Sequence, residues 1–249
     1  MTRPWDLNAD LGEGDEHMDM RLLEIITSAN VACGGHAGDD ASMRRICGLA
    51  ASRGVAIGAQ VSYVDREGFG RRRLDIPGAT LTAQLQEQIG YLQEAARECG
   101  VDVSYVKPHG ALYHAAVADR GVAESILAAS GSLPILTLPH GQLRLAAADV
   151  CVTTYAEAFA DRAYTASGNL VPRDEPAAVI TDPAVISTRV HRLVTEDIIM
   201  SIDGTMVAVS ARSLCVHSDT PGADIVARQV RRALEASGAP VLAFAPQGR

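Results

Sequence analysis

Residues able to do acid–base or anion chemistry occur in short clusters that follow predicted strands and precede the next helices. Loops at the carboxyl ends of parallel strands form the active face of a barrel or an open sheet, so we expect these side chains to meet. The clustered residues are Asp6, Asn8, Asp10, Glu13, His36, Asp39, Gln60, Ser62, Tyr63, Asp65, Lys107, His109, Tyr113, Glu157, Asp161, Arg162, Tyr164, His217 and Asp219. The sequence therefore predicts a site built from several loops.

The first cluster lies in the segment D-L-N-A-D-L-G-E, where alternation puts Asp6, Asn8 and Asp10 on one face of a strand. Burying such groups without partners costs several kcal/mol. The pattern therefore favours carboxylates that are held toward a substrate or a cation. The alternative is an edge strand with one solvated face.

The only lysine of the chain, Lys107, stands two residues before His109, and Pro108 fixes the turn between them. An ammonium group in a low-dielectric pocket stabilises an oxyanion or a phosphoryl oxygen, and a histidine moves protons near pH 7. His36, in C-G-G-H-A-G-D, has only small neighbours and so has room for a ligand. A surface lysine and a structural histidine are the alternatives.

Two later clusters carry further charge. Glu157 and Asp161 share a face at helical spacing, and Arg162 is suited to clamp a substrate carboxylate through two parallel hydrogen bonds. His217 and Asp219 are two residues apart, which allows an orienting pair. A solvated charged surface is the alternative for the segment E-A-F-A-D-R-A-Y.

Composition and missing motifs exclude several classes of protein. The net charge is −8, with 30 acidic residues against 22 scattered basic ones, which argues against nucleic-acid binding. The chain has no G-x-x-x-x-G-K-[ST] phosphate loop, no H-E-x-x-H and no G-x-S-x-G. The five cysteines form no C-x-x-C pair, and no apolar stretch approaches the ~18 residues of a membrane span. We expect a cytoplasmic protein with free thiols and no membrane contact.

Strand-length apolar runs alternate with helical patterns over the whole chain, which predicts an α/β fold in a single domain, residues 1–249. Seven or eight such units favour a (β/α) barrel over an open, doubly wound sheet. The predicted strands are Asp6 to Leu11, Asn30 to Cys33, Val55 to Ala59, Val103 to Val106, Ile135 to Leu138, Val150 to Thr154, Leu214 to Val216 and Val241 to Phe244. Helices are expected from Asp40 to Gly54, from Thr80 to Gly100 and from Thr220 to Gly238.

Six ordered blocks, from about Asp6 to Pro221, resemble the LamB/YcsF family, which provides the A subunit of bacterial ATP-dependent 5-oxoprolinase. The blocks are D-L-N-A-D-L-G-E-G, S-A-N-V-A-C-G-G-H-A-G-D, G-F-G-R-R, V-K-P-H-G-A-L-Y, E-A-F-A-D-R-A-Y and C-V-H-S-D-T-P-G. The resemblance implies a (β/α) barrel of the glycoside hydrolase and deacetylase type, with about seven strands. It also implies that 5-oxoproline is opened to L-glutamate with ATP, jointly with the B and C subunits.

A lactam is a poor electrophile, so we expect ATP to phosphorylate the carbonyl oxygen before water attacks. We hypothesise that Asp10, Glu13 and His36 orient or deprotonate this water, that Lys107 and His109 hold phosphoryl or oxyanion oxygens, and that Arg162 receives the carboxylate. The further substrate-binding candidates are Asn8, Tyr63, Tyr113, Glu157, Asp161, His217 and Asp219. Because the phosphate loop is missing, we expect ATP to bind one of the partner subunits.

The sequence departs from the family pattern at two positions. Gln60 stands in Gly58-Ala59-Gln60-Val61 where the family usually reads G-A-H-P, and Ser218 stands where it usually has glycine. An amide can hydrogen-bond, but it replaces a metal ligand and a proton carrier. Two alternatives follow. One is a deacetylase-like hydrolase with a divalent metal on Asp10, His36 and His109, and the other is an inactive subunit that binds a lactam or its partners.

Overall fold

In a computed structural model, which describes residues 3–245, seven parallel strands close into a barrel. Residues 1–2 and 246–249, the ends of the predicted domain, lie outside the described residues. The barrel strands, in their order around it, are β1 (Asp6–Leu11), β2 (Ser28–Ala32), β3 (Ala56–Val61), β4 (Val103–Pro108), β5 (Ile135–Thr137), β6 (Thr154–Phe159) and β9 (Ser213–Val216). β9 pairs with both β6 and β1 and so closes the ring. The prediction of a (β/α) barrel with about seven parallel strands is confirmed.

Helices surround the barrel and cover its outer face. They are α1 (Glu16–Leu23), α2 (Asp40–Arg53), α3 (Gly78–Glu98), α4 (Gly110–Ala118), α5 (Arg120–Ser130), α6 (Gln142–Asp149), α7 (Pro183–Glu196) and α8 (Ala223–Ala236). The apolar stripe of α3 is buried as its 3.6-residue spacing predicts, from Leu81 and Leu85 to Leu92. None of the helices within residues 3–245 combines the length and apolar character of a membrane span.

Two predicted strands are wrong. Residues 150–153 form the turn after α6, and the strand starts at Thr154, so Glu157 lies on a strand and shares no helical face with Asp161. At the predicted strand Val241 to Phe244, only an isolated bridge joins Val241 to Trp5. Because β1 is already paired on both sides, the closed ring has no edge for another strand.

Several helix boundaries also differ from the prediction. α3 begins at Gly78 after Pro77, which places Thr80 inside the helix, and α8 begins at Ala223 after Gly222 in the left-handed conformation. Gly54 does end α2, as predicted. Between α7 and β9 the chain adds an unpredicted antiparallel hairpin of β7 (Ile198–Met200) and β8 (Met206–Ala208).

The interior of the barrel, its lumen, is lined by polar side chains rather than by the apolar layers usual in such barrels. Asp6, Asn8 and Asp10 of β1 are all buried and bond to side chains of neighbouring strands. The alternating Leu7, Ala9 and Leu11 belong to the hydrophobic core. The alternation in D-L-N-A-D-L therefore separates lumen from core, and a solvated edge strand is excluded because β1 is paired on both sides.

Tyr105 of β4 fills the middle of the lumen. Its hydroxyl donates to Asn30 Oδ1 at 2.7 Å, and its ring lies directly against Gly58, where an added Cβ would be 2.1 Å from a ring carbon. Only glycine permits this close approach. Asn30 in turn donates to Asn8 at 2.7 Å and to Asp10 at 2.8 Å. This chain of hydrogen bonds carries the polar network up to the carboxyl ends of the strands.

Candidate active site

The carboxyl end of β4 brings Lys107 into a buried ion cluster. Its ammonium lies 3.3 Å from Asp10, 3.0 Å from Glu157 and 3.1 Å from the Cys215 sulfur. Burial alone would lower the pKa of Lys107, but Asp10, Cys215 and Glu157 raise it well above its usual value. Burial alone would raise the pKa of Asp10, but Lys107, with smaller contributions from His217 and His109, lowers it below its usual value. Lys107 therefore stays a cation and Asp10 an anion at neutral pH.

Glu157 and Tyr113 form the deepest part of this cluster. Burial raises the pKa of Glu157, although the ammonium of Lys107 opposes that shift. No part of Glu157 is exposed, and the Tyr113 hydroxyl donates a hydrogen bond to its carboxylate. Tyr113 packs edge-on against Phe159, with the ring centroids 5.9 Å apart.

Arg162 follows β6 and is 5% exposed. It donates to the Val171 carbonyl oxygen at 2.6 Å, but its Nε atom has no partner and no carboxylate of residues 3–245 lies within ion-pair distance. Burial and the nearby charge of Arg173 lower the pKa of this guanidinium. An unpaired buried cation is costly, and a bound carboxylate would remove that cost.

His217 follows β9 and pairs with Asp161, not with Asp219 as the sequence predicted. Its Nδ1 lies 3.1 Å from both carboxylate oxygens of Asp161. Asp219 instead binds Arg71 and Arg173, which come from the loops after β3 and β6. Burial would lower the pKa of His217, but Asp161 raises it overall. Spacing along the chain failed here because the partner comes from a neighbouring strand.

Glu13, His36, Gln60 and His109 form a second buried group, called here the imidazole cluster. The two imidazoles stack with centroids 3.8 Å apart and planes inclined by 8°. His36 Nε2 lies 3.2 Å from Glu13, and the Gln60 amide donates to Glu13 and to His109 Nδ1, both at 3.1 Å. Burial lowers the pKa of both histidines to about 4 and raises that of Glu13. The imidazoles are therefore neutral at pH 7.

Phe69 covers the imidazole cluster. Its ring meets both imidazoles edge-on, at 5.3 Å from His36 and 5.5 Å from His109, and its carbonyl oxygen lies 3.1 Å from His109 Nε2. The backbone of Phe69 has φ 53°, a conformation that costs about 1–3 kcal/mol in a non-glycine residue. Phe69 is not among the predicted site residues, although it lies in the block G-F-G-R-R.

A cavity of about 630 Å³ opens at the carboxyl ends of the strands. Among its wall residues are Asp10, Arg71, Lys107, His109, Tyr113, His114, Phe159, Arg162, Arg173 and His217. Glu13 and His36 do not line it, because His109 lies between them and the cavity wall. Tyr63 lies elsewhere, in a separate cavity of about 200 Å³ with Arg73 and Asp119. The structure therefore does not bring Tyr63 into the predicted site.

The metal ligands suggested by the sequence are divided between two groups. Glu13 joins His36 and His109, whereas Asp10 joins Cys215 and His217. The parallel stacking of the imidazoles prevents one ion from lying in the plane of both rings. In the second group, the Lys107 ammonium already lies 3.1–3.3 Å from the cysteine and the aspartate. Neither group, as arranged, fits a divalent metal ion, and we derive no step through one.

Fold and site together define a (β/α)-barrel protein with a polar lumen and an arginine-rich cavity. The chain belongs to the LamB/YcsF family, whose sequence model matches residues 5–248. It is 53% identical over 248 residues to the A subunit of the 5-oxoprolinase of Streptomyces coelicolor, and the match covers 96% of this chain and 99% of the relative.

Solved structures agree with this assignment. The lactam utilization protein of Thermus thermophilus is 39% identical, covers 97% of this chain and 100% of its own, and superposes with a TM-score of 0.89. The T48 deacetylase, at 12% identity and a TM-score of 0.50 over 97% of this chain and 88% of its own, shares the fold.

Proposed function

We propose that this chain is the A subunit of a 5-oxoprolinase, which opens 5-oxoproline to L-glutamate with the consumption of ATP. The observation that carries the proposal is Arg162, a buried and unpaired guanidinium on the wall of the cavity that also reaches Lys107. 5-Oxoproline offers one carboxylate for the first group and one amide carbonyl for the second. The names of relatives such as the Streptomyces coelicolor protein support this choice of substrate.

In this proposal Lys107 stabilises negative charge that develops on the lactam carbonyl oxygen. Its ammonium is fixed by Asp10 and Glu157 and sits in a buried setting, where a preorganised cation stabilises an oxyanion far better than in water. Asp10 keeps the lysine charged and also faces the cavity, where it can orient the attacking water. Of the imidazole cluster only His109 lines the cavity, and Glu13, His36 and Gln60 support it from behind.

ATP is the proposed cosubstrate, because an amide carbonyl needs activation before water adds to it. The chain lacks a phosphate loop, so we assign the ATP site to the B and C partner subunits. All five cysteines lie in the described part of the chain as free thiols, which supports a reducing cytoplasm as the location.

The test is L-glutamate release from 5-oxoproline by this chain mixed with its two partner subunits and ATP, each component being omitted in turn. We expect release only from the complete mixture. Arg162→Met should abolish most of it, whereas Arg97→Met, at an arginine whose side chain is 76% exposed, should not. No release, with partners proven active beside a homologue of this chain, would contradict the proposal.

A further inference from the structure

His217 differs from the other histidines on the cavity wall in having a carboxylate that orients it. Asp161 accepts from His217 Nδ1 at 3.1 Å and from its backbone N–H at 3.2 Å, and it accepts the Thr220 hydroxyl at 3.0 Å. Because an ionised carboxylate only accepts hydrogen bonds, Nδ1 carries a hydrogen. The other ring nitrogen, Nε2, does not bond to Asp161, and His217 lines the cavity.

The ring of His217 is held in place on its flat side as well. It stacks on Phe159 with centroids 5.3 Å apart and planes inclined by 15°. The charged and titratable groups that face it are Asp161 after β6, Asp10 of β1, Cys215 of β9, His114 of α4 and Arg173 of the loop between β6 and α7. One hydrogen-bonded edge and one stacked face leave the imidazole a single orientation.

The other two histidines of the wall lack this arrangement. His109 uses both ring nitrogens, one toward the Phe69 carbonyl oxygen at 3.1 Å and one toward the Gln60 amide at 3.1 Å. His114 is exposed and has no carboxylate within ion-pair distance among residues 3–245. Only His217 therefore combines an orienting carboxylate with a nitrogen that is left for a ligand.

We propose that His217 is a catalytic residue that protonates the ring nitrogen of the lactam as the C–N bond breaks, with Asp161 as its positioning residue. In this step the bond's electron pair goes to nitrogen, and the proton on Nε2 follows, so that an amine leaves instead of an amide anion. The water that adds its oxygen to the carbonyl carbon returns one proton to Nε2. The net change at this bond is one water, with OH on carbon and H on nitrogen. The phosphoryl group that ATP placed on the original carbonyl oxygen stays on the acyl carbon as an acyl phosphate, and a second water releases it as phosphate. This inference rests on the proposed function.

The first test compares His217→Gln and Asp161→Asn in the complete enzyme. General acid catalysis contributes about 10²–10⁴-fold, so we expect kcat of His217→Gln to fall at least about 100-fold, with KM within about threefold. The wild-type rate should decline at high pH as His217 loses its proton. That decline should vanish in His217→Gln and move to lower pH in Asp161→Asn. The control His191→Gln, at an exposed histidine of α7 outside the cavity, should stay within about threefold of wild type.

A second substrate separates proton donation from a structural role. In the lactone analogue of 5-oxoproline the leaving atom is oxygen, which departs with much less need of a proton. The deficit of His217→Gln should therefore shrink at least about tenfold on the lactone. An equal deficit on both substrates would overturn the inference even if the variant folds poorly, because misfolding lowers both rates alike.

A third measurement needs neither partners nor turnover. Nuclear magnetic resonance titration of the wild-type chain should show a pKa for His217 above that of an exposed histidine, and Asp161→Asn should lower it. If the wild-type complex releases glutamate and His217→Gln is equally active, the assignment of His217 is wrong, while the proposed function stands. A wild-type complex that releases no glutamate would overturn the proposed function, and this step with it.

Discussion

Asp6 and Asp10 lie on the same strand and face the same lumen, yet their surroundings differ. Asp6, at the lumen floor, accepts hydrogen bonds from Thr27 and Ser28 at 2.6 Å and a further one from Ser213. Asp10 lies at the lumen mouth, which comprises Asp10, Lys107, Glu157, Arg162 and His217. There, Arg162 Nε has no hydrogen-bond partner among residues 3–245.

This difference separates a structural polar cluster from a functional one. A buried network whose donors and acceptors are all satisfied fixes one arrangement of the strands, whereas unsatisfied groups retain capacity for a ligand. We therefore expect changes at the floor to affect stability and changes at the mouth to affect turnover.

The largest effect should come from Lys107→Met. Loss of the ammonium should lower kcat for glutamate release by more than about 10³-fold, because no other cation takes its place beside Asp10 and Glu157. It should also lower the free energy of unfolding by about 3–5 kcal/mol, since Asp10 and Glu157 stay buried without the ammonium that pairs with them. Urea denaturation of Lys107→Met and of the double variant with Asp10→Asn checks this. The double variant should regain stability but not activity.

Arg162→Met should separate binding from stability. Removing a hydrogen-bonded charged contact costs about 1.5–3 kcal/mol, so calorimetry should show 5-oxoproline binding weakened about 10- to 100-fold. The melting temperature should stay the same or rise, because Arg162 is a buried charge without an ion partner in the described chain. A large loss of stability with unchanged binding of 5-oxoproline would show instead that Arg162 has a structural role.

At the floor, the pH dependence of stability reports on Asp6. Burial raises its pKa to about 6 against a usual 3.8, so the folded protein keeps this proton longer than the unfolded chain. The free energy of unfolding should therefore fall by about 2 kcal/mol as pH rises from 4 to 6, out of a full loss of about 3 kcal/mol that is complete above about pH 7, at about 1.36 kcal/mol per pKa unit. Asp6→Asn should lack this part of the decline, and its kcat should match that of wild type. Parallel urea titrations of both proteins measure the difference.

The smallest effect should come from Gln60→His. The Gln60 amide already donates to Glu13 and His109, and an imidazole in its place would act within the imidazole cluster, behind the cavity wall. We expect glutamate release within about threefold of wild type. A gain of more than tenfold would instead favour the inactive, ligand-binding subunit.

The sequence alone predicted the barrel and most of the mouth, because periodicity and position after a strand are local properties. Asp10, Lys107, His109, Arg162 and His217 all line the cavity as that position implies. The sequence could not show which side chains from different strands would become hydrogen-bond partners. Asp161 meets His217 only because β6 and β9 are neighbours, a pairing that depends on ring closure.

Tyr63 and Glu13 show that a position near the end of a strand does not by itself place a side chain in the cavity. Both follow or lie near the ends of strands, yet Tyr63 turns toward α3 and the second cavity, and Glu13 turns behind His109. The direction of a loop side chain depends on what it packs against, and Phe69, which closes the imidazole cluster, comes from a different loop.

The most direct test of the account is a crystal structure of this chain with 5-oxoproline bound. We expect the ligand in the cavity at the lumen mouth, with its carboxylate on Arg162, its carbonyl oxygen toward Lys107 and its ring nitrogen within hydrogen-bond distance of His217 Nε2. A ligand in the cavity beside Tyr63, or one that leaves Arg162 unpaired, would contradict the claim that the unsatisfied groups of the mouth are the substrate site.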